Sequence, residues 1–407
     1  MKFKLNLDKT ISSLFLYGMI FFPGFLMVVN HGIGSNYTGI ILISFLIISL
    51  RLAFSQRGVI VSRTFILGSL LLFFFSLSHL ILTSFIFYQS EYPGLIKSIF
   101  SLLSLIIVLL SCYLAFDSLT RINSESFAKT VDNIFKLLLF IGIISSILIV
   151  LKIQDSKKML FFTEPSHYAL IVSVFYCYKI SIKKANILFF IPLILISLAV
   201  ENLTLISGIV IAIIMNFMRL KTILLIPVIF GLLYSVMIST ISEERLNYYT
   251  QRLNISDGST NTSVLTLISG YEQGFIALRD SYGLGYGIQN MGYLNSRGEM
   301  VEIIGSLRDG NTDSNKYDGG LFISKLAVEF GFFGLCFFIY TIYLGFSNFR
   351  VKDVKSKFFS SVLLMSSMYF LLRGSGYFTP SAILIFISII YISYSSHLIK
   401  KRYLCEY

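Results

Sequence analysis

The chain has no tryptophan, only six prolines, four histidines and four cysteines in 407 residues, and charged side chains make up just 13% of it. A soluble domain carries about 25% charged residues, and a folded chain needs a wettable surface that this composition cannot supply. An ordinary soluble globular protein is therefore excluded, and so is a disordered one, which needs charge and few large apolar side chains. Cys112, Cys177 and Cys336 lie inside apolar runs and Cys405 in the tail. No pair falls on an exported loop and no zinc spacing is present, so neither a disulfide framework nor a structural metal is expected. Asp-x-Asp clusters are also missing from the segments that read as external.

What is abundant is apolar: 55% of residues are hydrophobic, with a mean hydropathy of +0.79. Apolar runs fall at 11–29, 37–54, 64–87, 95–116, 134–151, 168–180, 186–200, 203–218, 222–240, 320–346, 358–372 and 377–397. A spanning helix needs about 20 apolar residues. The expected fold is an all-α polytopic integral membrane protein of about 12 transmembrane helices, within a range of about 10 to 14. The run 11–29 lacks a small-residue cleavage site and reads as a retained span rather than a signal peptide. The sixth, seventh and eighth runs are short, and Glu201-Asn202 between the last two suits either a tight turn or a re-entrant corner.

The net charge of +12 could point to nucleic acid. Its placement argues otherwise. With the N terminus inside, every inner loop is basic, from Lys2, Lys4 and Lys9 through Arg350, Lys352, Lys355 and Lys357 to Lys400, Lys401 and Arg402, while most acids fall outside. That is the positive-inside pattern. It predicts cytoplasmic termini in a multi-pass protein in contact with membrane lipids and with no nucleic-acid partner.

Loop length divides the chain into 1–240, with about nine spans, a large external loop at 241–319, and 320–407, with about three spans and a short tail. The loop is far longer than a connection requires. Ser242 before Glu243 and Glu244 reads as a helix cap with first-turn acids. Val264, Leu267, Ile268, Tyr271, Phe275 and Leu278 recur at helical spacing behind Ser263. Two amphipathic helices, about 242–253 and 263–280, are predicted, so the loop is partly helical.

Several motifs carry chemistry. In Phe161-Phe162-Thr163-Glu164-Pro165-Ser166-His167-Tyr168 a carboxylate, a hydroxyl and an imidazole fall within four residues where a span begins, and proline presets the first helical turn. The same residues suit a helix cap without chemistry. Gly283-Leu284-Gly285-Tyr286-Gly287 fails the dinucleotide pattern because Ile288 follows; a phosphate nest or a plain turn remain. The loop arginines Arg245, Arg252, Arg279, Arg297 and Arg308 suit phosphate oxygens or surface acids. Arg373 sits at a span end, and a membrane arginine is a functional candidate. Lys325 and Glu329 are four apart and can pair on one helix face. His79 suits an interhelical hydrogen bond.

Taken together, the topology, the single long loop, Phe162-Thr163-Glu164-Pro165-Ser166, the Gly283–Gly287 stretch and the run from Asp318-Gly319-Gly320 to Glu329-Phe330-Gly331-Phe332-Phe333-Gly334 resemble bacterial O-antigen polymerases of the Wzy family over essentially the whole chain. The related O-antigen ligases carry a histidine nine residues before Gly-x-x-Gly, where this chain has Gly320-Leu321 and then Gly331 and Gly334. That difference favours the polymerase. The resemblance implies a glycosyltransferase in lipopolysaccharide biosynthesis that joins undecaprenyl-pyrophosphate-linked repeat units at the periplasmic face, with a chain-length regulator as partner and no cofactor. Such a reaction needs a base and a clamp for the departing pyrophosphate. Glu164 and His167 are the candidates for the first and Arg252, Arg279 and Arg308 for the second. Pro165, Ser166, Gly285, Gly287, Asp318, Glu329 and Arg373 are candidates for substrate binding. The alternatives are a lipid-linked oligosaccharide flippase, or the ligase itself.

Overall fold

The computed structural model describes residues 7–29, 35–54, 61–87, 94–155, 158–217, 261–294, 296–313 and 315–405. Among the described residues the chain is helical throughout, with a lone bridge between Met159 and Phe162 and no strand. The helices are α1 (Leu7–Val29), α2 (Asn36–Phe54), α3 (Arg63–Phe87), α4 (Leu95–Arg121), α5 (Ser124–Val150), α6 (Pro165–Ile182), α7 (Phe190–Ala199) and α8 (Leu203–Phe217). They continue with α9 (Thr262–Asp280), α10 (Glu299–Ser306), α11 (Phe322–Phe330), α12 (Phe332–Asn348), α13 (Val354–Leu371) and α14 (Pro380–Cys405). The first five are long and apolar enough to cross a membrane. The expected helix at 242–253 lies outside the described residues.

Burial separates the helices by composition. Only Phe65, Ser76, His79, Leu80 and Thr83 of α3 are buried, and its remaining surface is large and apolar, as suits a helix against lipid. In α6 and α13 the buried residues run consecutively, Tyr168 to Tyr178 in one and Phe358 to Met365 in the other, so neither has an exposed face. These two helices pack against each other at the centre. Being shielded, they tolerate serine: Ser361, Ser366 and Ser367 return their hydroxyls to carbonyls of their own helix. Small side chains also let neighbouring backbones approach.

Chain direction gives the bundle two ends. At one, buried Arg51 bonds Asp8 of α1 at 2.7 Å and Asp117 of α4, tying three helices together. At the same end Lys355 donates to the Leu119 and Ile122 carbonyls at the foot of α4. The other end carries the segments around 151–164, 261–320 and 372–379.

One expectation meets a different structure there, and two open alternatives are resolved. The run 320–346 is two helices, α11 and α12, joined at Gly331, whose φ of +56° ends the first and starts the second. The Gly283–Gly287 stretch lies against this joint. The amides of Tyr286 and Gly287 donate to the Val328 and Glu329 carbonyls at 2.8 and 2.9 Å, and Phe332 donates to Gly283 at 2.8 Å. His79 secures the stretch from α3 through the Leu284 carbonyl at 2.9 Å. The Glu201-Asn202 break is a tight turn, with Glu201 at φ +53° and the Asn202 side chain accepting from the Leu205 amide.

Helix α9 forms almost where expected, capped by Asn261 rather than Ser263. Its buried face is made largely of small residues. Ser269, Gly270, Gln273, Gly274 and Ala277 are buried, Gly270 and Gly274 against Leu321 and Ser324 at the start of α11, while Tyr271 is 45% and Phe275 71% exposed. Ser324 bonds the Gly270 carbonyl, and a Cβ on Gly270 would meet the Gly319 carbonyl at 2.5 Å. The close backbone approach selects the small face and turns the large apolar side chains outward.

Candidate active site

The heads of the two central helices meet at the loop-bearing end. Glu164 holds the N-cap position of α6 with extended backbone and Pro165 follows at the first turn, but the Glu164 side chain makes no capping bond. Its Oε2 instead accepts from Arg373 Nη2 at 2.7 Å and from the Ser166 hydroxyl at 3.0 Å. Arg373 stands just beyond the end of α13, so the pair closes one helix head onto the other across 209 residues of sequence. Burial would raise the Glu164 pKa, but the charges of Arg373 and His167 and the two hydrogen bonds outweigh it and hold the carboxyl below its ordinary value.

One turn on, His167 is fixed from both sides. Nδ1 bonds the Thr163 hydroxyl, and Nε2 lies 3.3 Å from the Ser375 hydroxyl. Both partners are hydroxyls, which donate or accept, so the ring is held in place in either tautomer, and the one with the proton on Nδ1 leaves Nε2 as an acceptor. Ser375 sits in the Gly374–Gly376 turn that links α13 to α14.

Two cavities share this ion pair as a common wall. One, of about 640 Å³, is lined by Glu164, His167 and Arg373 together with Lys97, Asp318 and Lys325. The other, of about 700 Å³, is lined by Glu164, Pro165, Ser166 and Arg373 and also by Arg308 and Glu201. Beneath the first cavity Lys325 is 1% exposed and Glu329 fully buried, with their charged atoms 2.8 Å apart. Lys325 also donates to the Tyr317 carbonyl at 2.6 Å, and the Tyr377 hydroxyl donates to Glu329.

The sequence candidates therefore separate. Glu164, Pro165, Ser166, His167, Asp318, Arg308 and Arg373 line one cavity or both. Glu329 lies behind the wall, bonded to protein groups. Arg279 is elsewhere: it pairs with Asp280 at 2.8 Å and borders a separate cavity of about 740 Å³ with Arg297. The amides of Gly285 and Gly287 are bonded to Ser281 and Glu329, which makes their stretch a packing element. Arg252 lies outside the described residues. Lys97 and the Gly374–Gly376 turn are additions, and Lys325, read in the sequence only as the partner of Glu329, lines the cavity itself. Lys97 is hidden by the apolar run that surrounds it, whereas two glycines flanking a serine just after Arg373 are a readable signal. Among the described residues no group of three or more His, Cys, Asp or Glu side chains is placed to hold a metal ion. No family model, curated protein or solved structure matches this chain.

Proposed function

We propose that the chain is an O-antigen polymerase of the Wzy type, a glycosyltransferase of the bacterial inner membrane working at the periplasmic face. The reading rests on the resemblance of the sequence. The observation that carries it is the Glu164–Arg373 pair standing as the shared wall of two cavities, with His167 beside it. Polymerisation brings two lipid-linked glycans to one point, and two cavities that meet at an ionised wall suit that demand.

In this reaction an acceptor hydroxyl oxygen bonds to the donor's anomeric carbon. The bond from that carbon to phosphate breaks, and the lipid pyrophosphate leaves with the electron pair. The hydroxyl proton passes to His167 Nε2, while Thr163 fixes the ring and Glu164 stabilises the imidazolium that forms. Arg373 holds Glu164 in place and faces the leaving phosphates, and Arg308 adds a second cation from the adjoining cavity. The twelve-span topology with internal termini, and a chain-length regulator as partner, belong to the same reading.

The test is a lipopolysaccharide gel from a deletion strain complemented with wild type, Glu164→Gln, His167→Ala or Arg373→Met at matched membrane levels. Collapse of the ladder to core plus one repeat unit in all three variants supports the assignment. A full ladder in all three refutes it, and bare core in the deletion strain moves the function to transport or ligation.

A further inference from the structure

The segment after α9 does not stay outside the bundle. His79 Nε2 donates to the Leu284 carbonyl at 2.9 Å, about two turns below the end of α3 at Phe87. The Ser98 hydroxyl donates to the Ile288 carbonyl at 2.7 Å, and the Gln289 side-chain amide donates to the Ser101 hydroxyl at 2.9 Å, both inside the start of α4 at Leu95. Helices α3 and α4 are long and apolar enough to cross a membrane. Residues 284–289 therefore lie within the thickness that these two helices cover, and α9 leads down to that depth at its C-terminal end.

The exposed side of α9 has a particular composition. Tyr271, Phe275 and Arg279 follow one another at helical spacing and Tyr282 continues the row, all of them exposed and Tyr282 at 89%. The row runs on into Phe332, which lies against Gly283, and Phe333, whose ring meets that of Phe75 on α3 at 5.2 Å. Phe332, Phe333 and Phe75 are exposed as well, so the stripe is continuous with the apolar surface of α3. A continuous exposed patch of this kind marks a contact surface. Tyrosine has an apolar ring with a polar tip, and arginine carries its charge on an apolar stem, so both suit the boundary between lipid and water. On the far side Phe275 and Arg279 border the 740 Å³ cavity together with Glu299 and Glu302, which keep that edge aqueous. The stripe thus stands where apolar surface gives way to charge.

We infer that α9 is an interfacial anchor. Its Tyr271–Phe275–Arg279–Tyr282 stripe rests in the headgroup region of the leaflet at the loop-bearing end, with the Phe275 and Tyr282 rings against the upper acyl chains and Arg279 on a lipid phosphate. Arg279 gives one N–H to Asp280, and its guanidinium has further donors for phosphate oxygens. The occupant is bilayer lipid rather than a second copy or another protein. The stripe continues into a surface suited to lipid, and the segment it leads to is already bonded to two helices at membrane depth. The inference does not depend on the transferase reading. It bears on the site all the same: Thr262, Ser263 and Thr266 of α9 line the 700 Å³ cavity, so anchoring this helix sets the height of that cavity above the lipid.

Because the chain has no tryptophan, a single introduced one reports alone. The test places full-length Phe275→Trp and Tyr282→Trp in nanodiscs of phosphatidylcholine brominated either near the carbonyl end or near the methyl end of its acyl chains. Both variants are expected to lose more emission to the shallow bromines than to the deep ones. Phe74→Trp, on the exposed face midway along α3, is expected to show the opposite order and calibrates the depth scale. Arg279→Gln in the Tyr282→Trp background is expected to lose part of the shallow quenching and to gain quenching by aqueous acrylamide. Emission from positions 275 and 282 that responds to acrylamide and to neither lipid overturns the inference by placing the stripe in water. Emission that responds to no quencher overturns it by placing the stripe against protein, and stronger quenching by the deep bromines overturns the headgroup placement. Quenching unchanged by Arg279→Gln removes Arg279 from the anchor.

Discussion

Two ion pairs stand at the same cavity, one facing it and one reaching it only through Lys325, and differ in nearly everything else. Lys325 and Glu329 sit one turn apart on α11, 1% and 0% exposed, with Tyr317 and Tyr377 occupying further bonding positions. Arg373 and Glu164 come from opposite halves of the chain, are 26% and 45% exposed, and face open volume on two sides. A desolvated pair is expensive to create and more expensive to break, because removing one partner strands the other charge. A partly hydrated pair contributes little to stability but can exchange its partner for a substrate group. The first pair holds the wall through Tyr317 and Tyr377, and the second is where chemistry can occur.

The largest effect should come from breaking the buried pair. Lys325→Ala or Glu329→Ala leaves one uncompensated charge in the interior, at a cost of about 3–5 kcal/mol. Thermal unfolding of detergent-solubilised protein should show a collapse of folded yield in either single variant. The double variant Lys325→Met, Glu329→Met should recover much of it, since no charge is stranded. Equal instability in the double variant would mean that the bonds to Tyr317 and Tyr377 matter more than the charges.

Glu164→Gln should show the opposite profile. The stability change should stay below about 1 kcal/mol, as for exposed pairs. Transfer in nanodiscs should fall about 10²- to 10³-fold, the usual scale for losing one preorganised electrostatic group. A stability loss matching that of the Lys325 variants would erase the distinction between the two pairs.

The sequence exposes these pairs unequally. Glu164, Ser166 and His167 are legible because three functional groups crowd the start of one apolar run, and Arg373 because it falls at the outer end of a span, away from the basic inner loops. Their meeting is not legible, since nothing local links positions 209 residues apart. Lys325–Glu329 shows the reverse: the spacing reveals the pair but says nothing of its complete burial. Hydropathy likewise reads 320–346 as one span. The joint at Gly331 depends on backbone conformation and on the 283–287 segment lying against it, and neither affects apolar content. On α9 the apolar spacing is legible, but not that the close helix contact is made by Gly270 and Gly274 while Tyr271 and Phe275 face outward.

That joint also supports the wall that holds Glu329, so it offers a smaller perturbation of the structural side. Gly285 has φ +84°, and a Cβ there would lie 2.6 Å from the Gly331 amide nitrogen. Gly285→Ala should destabilise by about 1–3 kcal/mol, the usual range for strain at such a position. Residual activity should track the folded fraction. A phosphate nest at this stretch would instead lower activity at unchanged melting temperature.

The smallest effect should be the pH response of the exposed pair. The Glu164 carboxyl is held below its ordinary value in the folded chain, despite burial, by Arg373, His167 and two hydrogen bonds. Its contribution is therefore complete above the unfolded carboxylate pKa of about 4.3, and is lost as pH falls through the lower folded value. The difference in melting temperature between wild type and Glu164→Gln should stay constant from about pH 8 to pH 5 and shrink only below about pH 4. If the difference already disappeared near pH 6, Glu164 would be taking up a proton in the folded chain at that pH. The group would then be a buried neutral acid rather than a fixed charge, and the comparison between a sealed pair and an open, ionised one would fail at the residue on which the proposed chemistry depends.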